Sequence, residues 1–223
     1  MERMKMKTYK LKIELLSPTL IGSGEGYGAV IDTDVVYDDY GTPIIPAKRI
    51  KGCLLDSAKE IRDMFTNANI EINLKIEQTF GIPGQDDNAP VYFSNLSIEE
   101  YENNQKWLAY FLSKKEYQDF ISKEKILETY TETRQQTAID TNGVAFDHSL
   151  RTIRVINKGC TFFGDIHIES DDDEIVQLIH LACLNLHNLG TKRNRGFGEV
   201  RCTLCNGTNE FVIDKKLEEI CTN

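Results

Sequence analysis

The segment Leu189-Gly190-Thr191-Lys192-Arg193-Asn194-Arg195-Gly196-Phe197-Gly198-Glu199-Val200 sets three glycines among three cations. Glycine lets the main chain come close to a ligand, and successive amides in such a loop form a concave donor surface for phosphate. Lysine and arginine add charge and, for arginine, bidentate hydrogen bonding. Asn194 can donate or accept, and Phe197 either stacks on a planar ligand or packs beneath the loop. A solvated basic turn would show the same residue types. The coincidence of glycine and base in an otherwise acidic chain favours the anion site.

Two further segments fit such a site. Pro46-Ala47-Lys48-Arg49-Ile50-Lys51-Gly52 places Lys48, Arg49 and Lys51 in the first turn of an expected helix. Cations there oppose the helix dipole, so an anion shared with the last glycine loop would account for both clusters. Gly22-Ser23-Gly24-Glu25-Gly26-Tyr27-Gly28 is a second glycine run. It precedes an extended stretch rather than a helix, which excludes the dinucleotide-binding arrangement. A flexible connection and a backbone brought close to a ligand both remain open for it.

Asp32 and Asp34 alternate just after that run and can be read as a carboxylate pair for a divalent cation, or one as a base. Solvated edge acids would look the same. The six cysteines lack disulfide or zinc spacing: Cys202-x-x-Cys205 has no second pair, and strand geometry points its side chains to opposite faces. Free thiols and a cytoplasmic location are expected. Of the four histidines only His148 is loosely placed for acid–base work.

The elements that must hold these residues follow from periodicity. With 223 residues, 40% hydrophobic and 27% charged, the chain is neither disordered nor a disulfide miniprotein, and a single domain spanning 1–223 is expected. No apolar run approaches the roughly 20 residues of a membrane span, so no membrane partner is expected. The net charge is −9, from 26 basic and 35 acidic residues. That excludes a uniformly basic nucleic-acid coat and leaves local basic loops.

Strands are expected over 8–16, 30–37, 91–94, 151–156, 161–168, 199–204 and 210–213, with helices over 46–65 and 175–186. Residues 66–90 read as irregular, with a loop over 79–88. The polar, helix-rich segment 97–150 reads as a peripheral insertion, with a hairpin-type turn at Asp140-Thr141-Asn142-Gly143. The order predicts an α+β fold, a ferredoxin-like (RRM-like) antiparallel sheet with helices, a glycine-rich loop and an inserted thumb region.

Leu16 to Gly24, Ile31-Asp32-Thr33-Asp34, Gly41 to Gly52, Phe80-Gly81-x-Pro83-Gly84, Arg134 to Asp140 and Gly190 to Val200 occur in succession. Together they resemble the RAMP superfamily of CRISPR-associated proteins, and most closely the backbone subunits of type III effector complexes. The resemblance implies guide RNA, target RNA and other CRISPR effector subunits as partners. It implies that Asp32 cuts paired target RNA with Mg²⁺ or Mn²⁺, with Asp34 beside it as a second metal ligand, although Asp34 departs from some relatives. It further implies that Lys48, Arg49 and Lys51 contact guide phosphates. The stretch at Arg134 and the loop Gly190, Lys192, Arg193, Asn194, Arg195, Gly196, Phe197 and Gly198 are likewise implied in RNA binding, and 131–150 would be the thumb. Two alternatives remain: a catalytically silent scaffold subunit, and a metal-independent guide-processing nuclease using histidine.

Overall fold

The computed structural model describes residues 6–24, 26, 30–82, 84, 89–207 and 209–211. Strand β1 (Lys7–Leu15) alternates as its sequence dictates: Tyr9, Leu11, Ile13 and Leu15 are buried, while Lys10, Lys12 and Glu14 face away. It lies between β7 (Thr161–Ile168) and β8 (Val200–Asn206), antiparallel to both. On the far side of β7 sit β3 (Val91–Phe93) and β4 (Leu96–Ile98), with β2 (Ile44–Ile45) beyond β4, and β9 (Asn209–Glu210) extends the β8 edge.

Helix α1 (Ala47–Asn67) connects the first strand to β3 and β4, and α5 (Asp173–Asn185) connects β7 to β8. The order β1–α1–β3/β4–β7–α5–β8 is the split βαβ arrangement of a ferredoxin-like α+β fold, as expected. Both helices turn an apolar stripe, Ile50, Leu54, Ala58 and Ile61 in α1 and Ile175, Leu178, Ile179 and Ala182 in α5, towards the core. They also meet each other, with the Ser57 hydroxyl donating to the Ala182 carbonyl at 2.9 Å.

Several local expectations are corrected. A short helix, α2 (Ile76–Phe80), stands where irregular chain was expected, and Ile76, Thr79 and Phe80 are buried. A single helical turn is too short to show periodicity. The strand expected at 91–94 continues past a break as β4, because Ser94 accepts from the Asp165 amide (2.7 Å) and Asn95 accepts from Ala47 at the start of α1 (2.9 Å). The stretch 30–37 is no regular strand: it makes isolated bridges, Gly22–Val35, Thr33–Ile153 and Tyr37–Pro43. Val212 and Ile213 of the last expected strand, Cys221, and Pro83 and Gln85–Asn88 of the expected loop lie outside the described residues.

Within 97–150, Ser97 and Ile98 pair with β7. Helix α3 (Tyr101–Ser113) buries no residue, whereas α4 (Lys123–Tyr130) contributes Leu127 to the core. Strands β5 (Thr131–Gln136) and β6 (Arg151–Ile156) form a separate two-stranded ribbon. The chain between them, 137–150, has no buried residue and turns at Asp140–Gly143, where Asp140 accepts from the amides of Asn142 and Val144, both at 2.8 Å.

Candidate nucleic-acid interface

Three segments far apart in sequence meet at one end of the sheet. The last glycine loop folds back onto the chain that leaves β1: Gly198 donates to the Pro18 carbonyl (3.0 Å) and Thr191 to that of Leu20 (3.1 Å), while Leu189 donates to Gly198 (2.8 Å). Gly190 and Gly198 both have positive φ, and a Cβ on either would strike a backbone carbonyl, Leu20 and Leu189 respectively. Those two glycines serve the fold. Gly196 also has positive φ, but a Cβ there would meet open space.

Gly22–Gly24 lies alongside. The Arg49 guanidinium donates to the Gly22 carbonyl at 2.9 Å, tying the first glycine run to the start of α1. That helix begins after Pro46, which offers no capping side chain, so its first amide donates to Asn95 instead, and its first turn carries no acid. Between these pieces opens a cleft of about 450 Å³ lined by Gly22–Gly24, Thr33, Arg49, Cys53, Gly190, Thr191 and Arg193. The two basic clusters separated by some 140 residues of sequence therefore share one cavity through Arg49 and Arg193. Arg193 also reaches back to the Gly190 carbonyl (3.1 Å). Burial pushes the Cys53 thiol up from its ordinary pKa, although Arg193 and Arg49 pull the other way.

The remaining expected residues spread around that cleft. Lys48 is exposed and Lys51 half-buried in the first turns of α1. Lys192 adopts a left-handed backbone, φ 61°, and its ammonium donates to the Gln136 side chain at the root of the β5–β6 ribbon. Burial lowers its pKa first, then the neighbouring charges of Arg195 and Arg151, with Asp32 opposing. Arg195 is exposed. Asn194 lies in the short 3-10 turn Arg193–Arg195. Phe197 is half-buried and packs against the core, so packing and not stacking is its place in the free chain. Arg134 points along its own strand to Glu132, at 2.6 and 2.9 Å.

The two aspartates part company. Asp32 is exposed, its carboxylate accepting from the Thr152 amide at 2.7 Å and lying 3.5 Å from the Arg151 guanidinium. Asp34 is 4% exposed, accepts from the Val35 amide (2.8 Å) and receives the Arg154 guanidinium on both oxygens, at 3.2 and 3.3 Å. In place of the expected carboxylate pair stand one surface carboxylate and one buried ion pair. Irregular chain, not a flat strand, makes this possible. No group of three or more His, Cys, Asp or Glu able to hold a metal occurs among the described residues. His148 is exposed on the 137–150 excursion. The partners of Arg151 and Arg154, Asp32 and Asp34, and the contact of Gln136 with Lys192 carry no signal in the sequence beyond Gln136's place in the Arg134–Asp140 stretch.

A ferredoxin-like α+β domain with two glycine loops converging beside its first helix is a class of fold with known members. A family model described as the RAMP superfamily matches residues 12–201, and the chain belongs to that superfamily. No curated protein matches it. Among solved structures it is similar to a chain in a cryo-EM structure of type III-B Cmr-beta bound to cognate target RNA, at TM-score 0.63 and 13% identity over 88% of this chain and 96% of that one. A chain in the apo state of type III-B Cmr-beta gives TM-score 0.58 at 15% identity, over 89% and 97%. At these identities the likeness is one of fold. No helix among the described residues is long and apolar enough to cross a membrane.

Proposed function

We propose that this chain binds RNA along the cleft between its glycine loops, as a backbone subunit of a type III CRISPR effector complex, with guide RNA, target RNA and the other effector subunits as its partners. The observation that carries the reading is the shared cavity of Arg49 and Arg193 between two glycine loops in a chain of net charge −9. Such a cavity supplies main-chain proximity and two guanidinium groups for a phosphate chain. Superfamily membership and a fold shared with a chain in an RNA-bound assembly support it.

Target cleavage would fall to Asp32. A divalent ion takes oxygen ligands, and Mg²⁺ commonly uses one or two carboxylates completed by substrate phosphates. Asp34 is committed to Arg154, so Asp32 is the carboxylate that would hold Mg²⁺ or Mn²⁺ together with phosphate oxygens of the RNA. A bound ion supplies neutralisation of charge at the attacked phosphate. The silent-scaffold reading has its own support, because Asp32 is already engaged by Thr152 and Arg151.

Replacing Arg49 and Arg193 together by glutamine should weaken single-stranded RNA binding. It should also flatten the dependence of log K on log salt by about 1.4, some 0.7 for each lost phosphate contact. Unchanged binding and slope would overturn the site. In the assembled complex, Asp32→Asn should abolish Mg²⁺-dependent cleavage of a guide-paired target while guide binding persists. Absence of cleavage by the unaltered protein would leave the scaffold.

A further inference from the structure

A second cavity, of about 160 Å³, lies between α1 and the chain leaving α5. On one wall Cys53, Asp56, Ser57 and Glu60 follow one another at helical spacing, beside the core stripe of α1. Asn185, His187 and Asn188 form the other wall. Cys53 and Arg193 line both this cavity and the cleft between the glycine loops, so the two openings adjoin.

Part of this lining holds the two helices together. The Asn185 Nδ2 donates to Ser57 Oγ at 3.1 Å and to Glu60 Oε2 at 3.0 Å. Other groups are uncommitted: the side chains of Asp56, His187 and Asn188 make no hydrogen bond or ion pair among the described residues. Sites for drug-sized ligands begin at about 300 Å³, so this one admits a single small ring system. Single-stranded RNA is read by hydrogen bonds to the Watson–Crick edges of splayed-out bases. Cytosine presents an exocyclic amine and a ring acceptor there, which match a carboxylate and an amide donor. Uracil reverses both and turns a carbonyl oxygen towards the carboxylate.

We infer that this cavity receives one unpaired base of the bound RNA and selects a base bearing an exocyclic amine, which donates to Asp56 while the Asn188 amide completes the edge. The inference rests on the RNA-binding reading above and adds base selectivity to it. Its reading groups stand on α1 and on the chain leaving α5, not on the glycine loops. Phosphate contacts in the cleft carry no sequence information, so affinity and selectivity come from different residues. The Asp56 charge opposes a polyanion in general, and only the matched base offsets it with a charge-assisted hydrogen bond.

The test is equilibrium binding of the full chain, in EDTA, to two short RNAs: an all-uridine oligonucleotide and the same oligonucleotide with one central cytidine. The cytidine RNA should bind roughly five- to ten-fold tighter. Asp56→Asn should bring that ratio to unity. Losing the charge strengthens both RNAs alike and cancels in the ratio, so the comparison reads the hydrogen bond alone. Arg49→Gln should weaken both RNAs and keep the ratio, because it removes a phosphate contact. A parental ratio of unity with binding intact overturns the inference. So does a ratio that survives Asp56→Asn, or one that Arg49→Gln abolishes. A parent that binds neither RNA sinks the RNA-binding reading itself, and the base pocket with it.

Discussion

Gly198 and Gly196 stand two residues apart with similar positive φ, yet their surroundings differ. A methyl group on Gly198 would meet the Leu189 carbonyl inside van der Waals contact, whereas one on Gly196 meets nothing within 4 Å. Both alanine variants incur the left-handed strain of roughly 1–2 kcal/mol, and only Gly198→Ala adds a backbone clash. Urea unfolding should therefore show Gly196→Ala about 1 kcal/mol less stable than the parent and Gly198→Ala at least about twice that. Equal losses would mean the loop does not cross the chain as closely as described. Such distinctions were invisible in the sequence, where three glycines read alike. The same holds for the aspartates: residue type and spacing named Asp32 and Asp34 together, but the choice of which one is buried depends on where Arg154 lands. Charge is legible residue by residue, and its partner is a property of the fold.

Elements were legible where burial is one-sided and long. Strands β1 and β7 and helices α1 and α5 each repeat their period several times, so the pattern outweighs local noise. The pieces that escaped are short: α2 is one turn, and β4 is three residues after a break set by Ser94 and Asn95. The α3 helix illustrates the opposite case. It forms on propensity, stacks Trp107 on Phe111 and Phe111 edge-on to Tyr117, and yet buries none of its residues. The 137–150 excursion is less supported still, held by the Asp140 turn and by Ser149 bonding to Thr137 and Ala138. Exposed backbone with few fixed contacts is where proteases cut first. Limited proteolysis of the free chain should begin within 137–150, and the nicked protein should keep its far-ultraviolet circular dichroism. First cuts inside α1 would contradict this order of local stability.

At the scale of the whole molecule, the proposed RNA surface is assembled from segments near both ends of the sequence. Gly22–Gly24 follows β1, Arg49 opens α1, and Gly190–Arg193 precedes β8, while Asp32, Arg151 and Lys192 join the ribbon to that same rim. No one of these segments can hold its place without β1 between β7 and β8. An RNA that bridges them therefore binds only the folded chain, and its binding free energy is added to folding. With free oligonucleotide at 100 times its dissociation constant, the gain is about 2.7 kcal/mol, which in a domain of this size raises the unfolding midpoint by roughly 5–10 °C. Acidic charge elsewhere on the chain works against loose electrostatic coating, so the effect should saturate at a defined stoichiometry. The measurement is a thermal melt against increasing single-stranded RNA, run beside the Arg49→Gln, Arg193→Gln double variant. The parent midpoint should climb and level off while that of the variant stays near its RNA-free value. A variant that climbs as far as the parent would move the binding surface away from the glycine loops altogether.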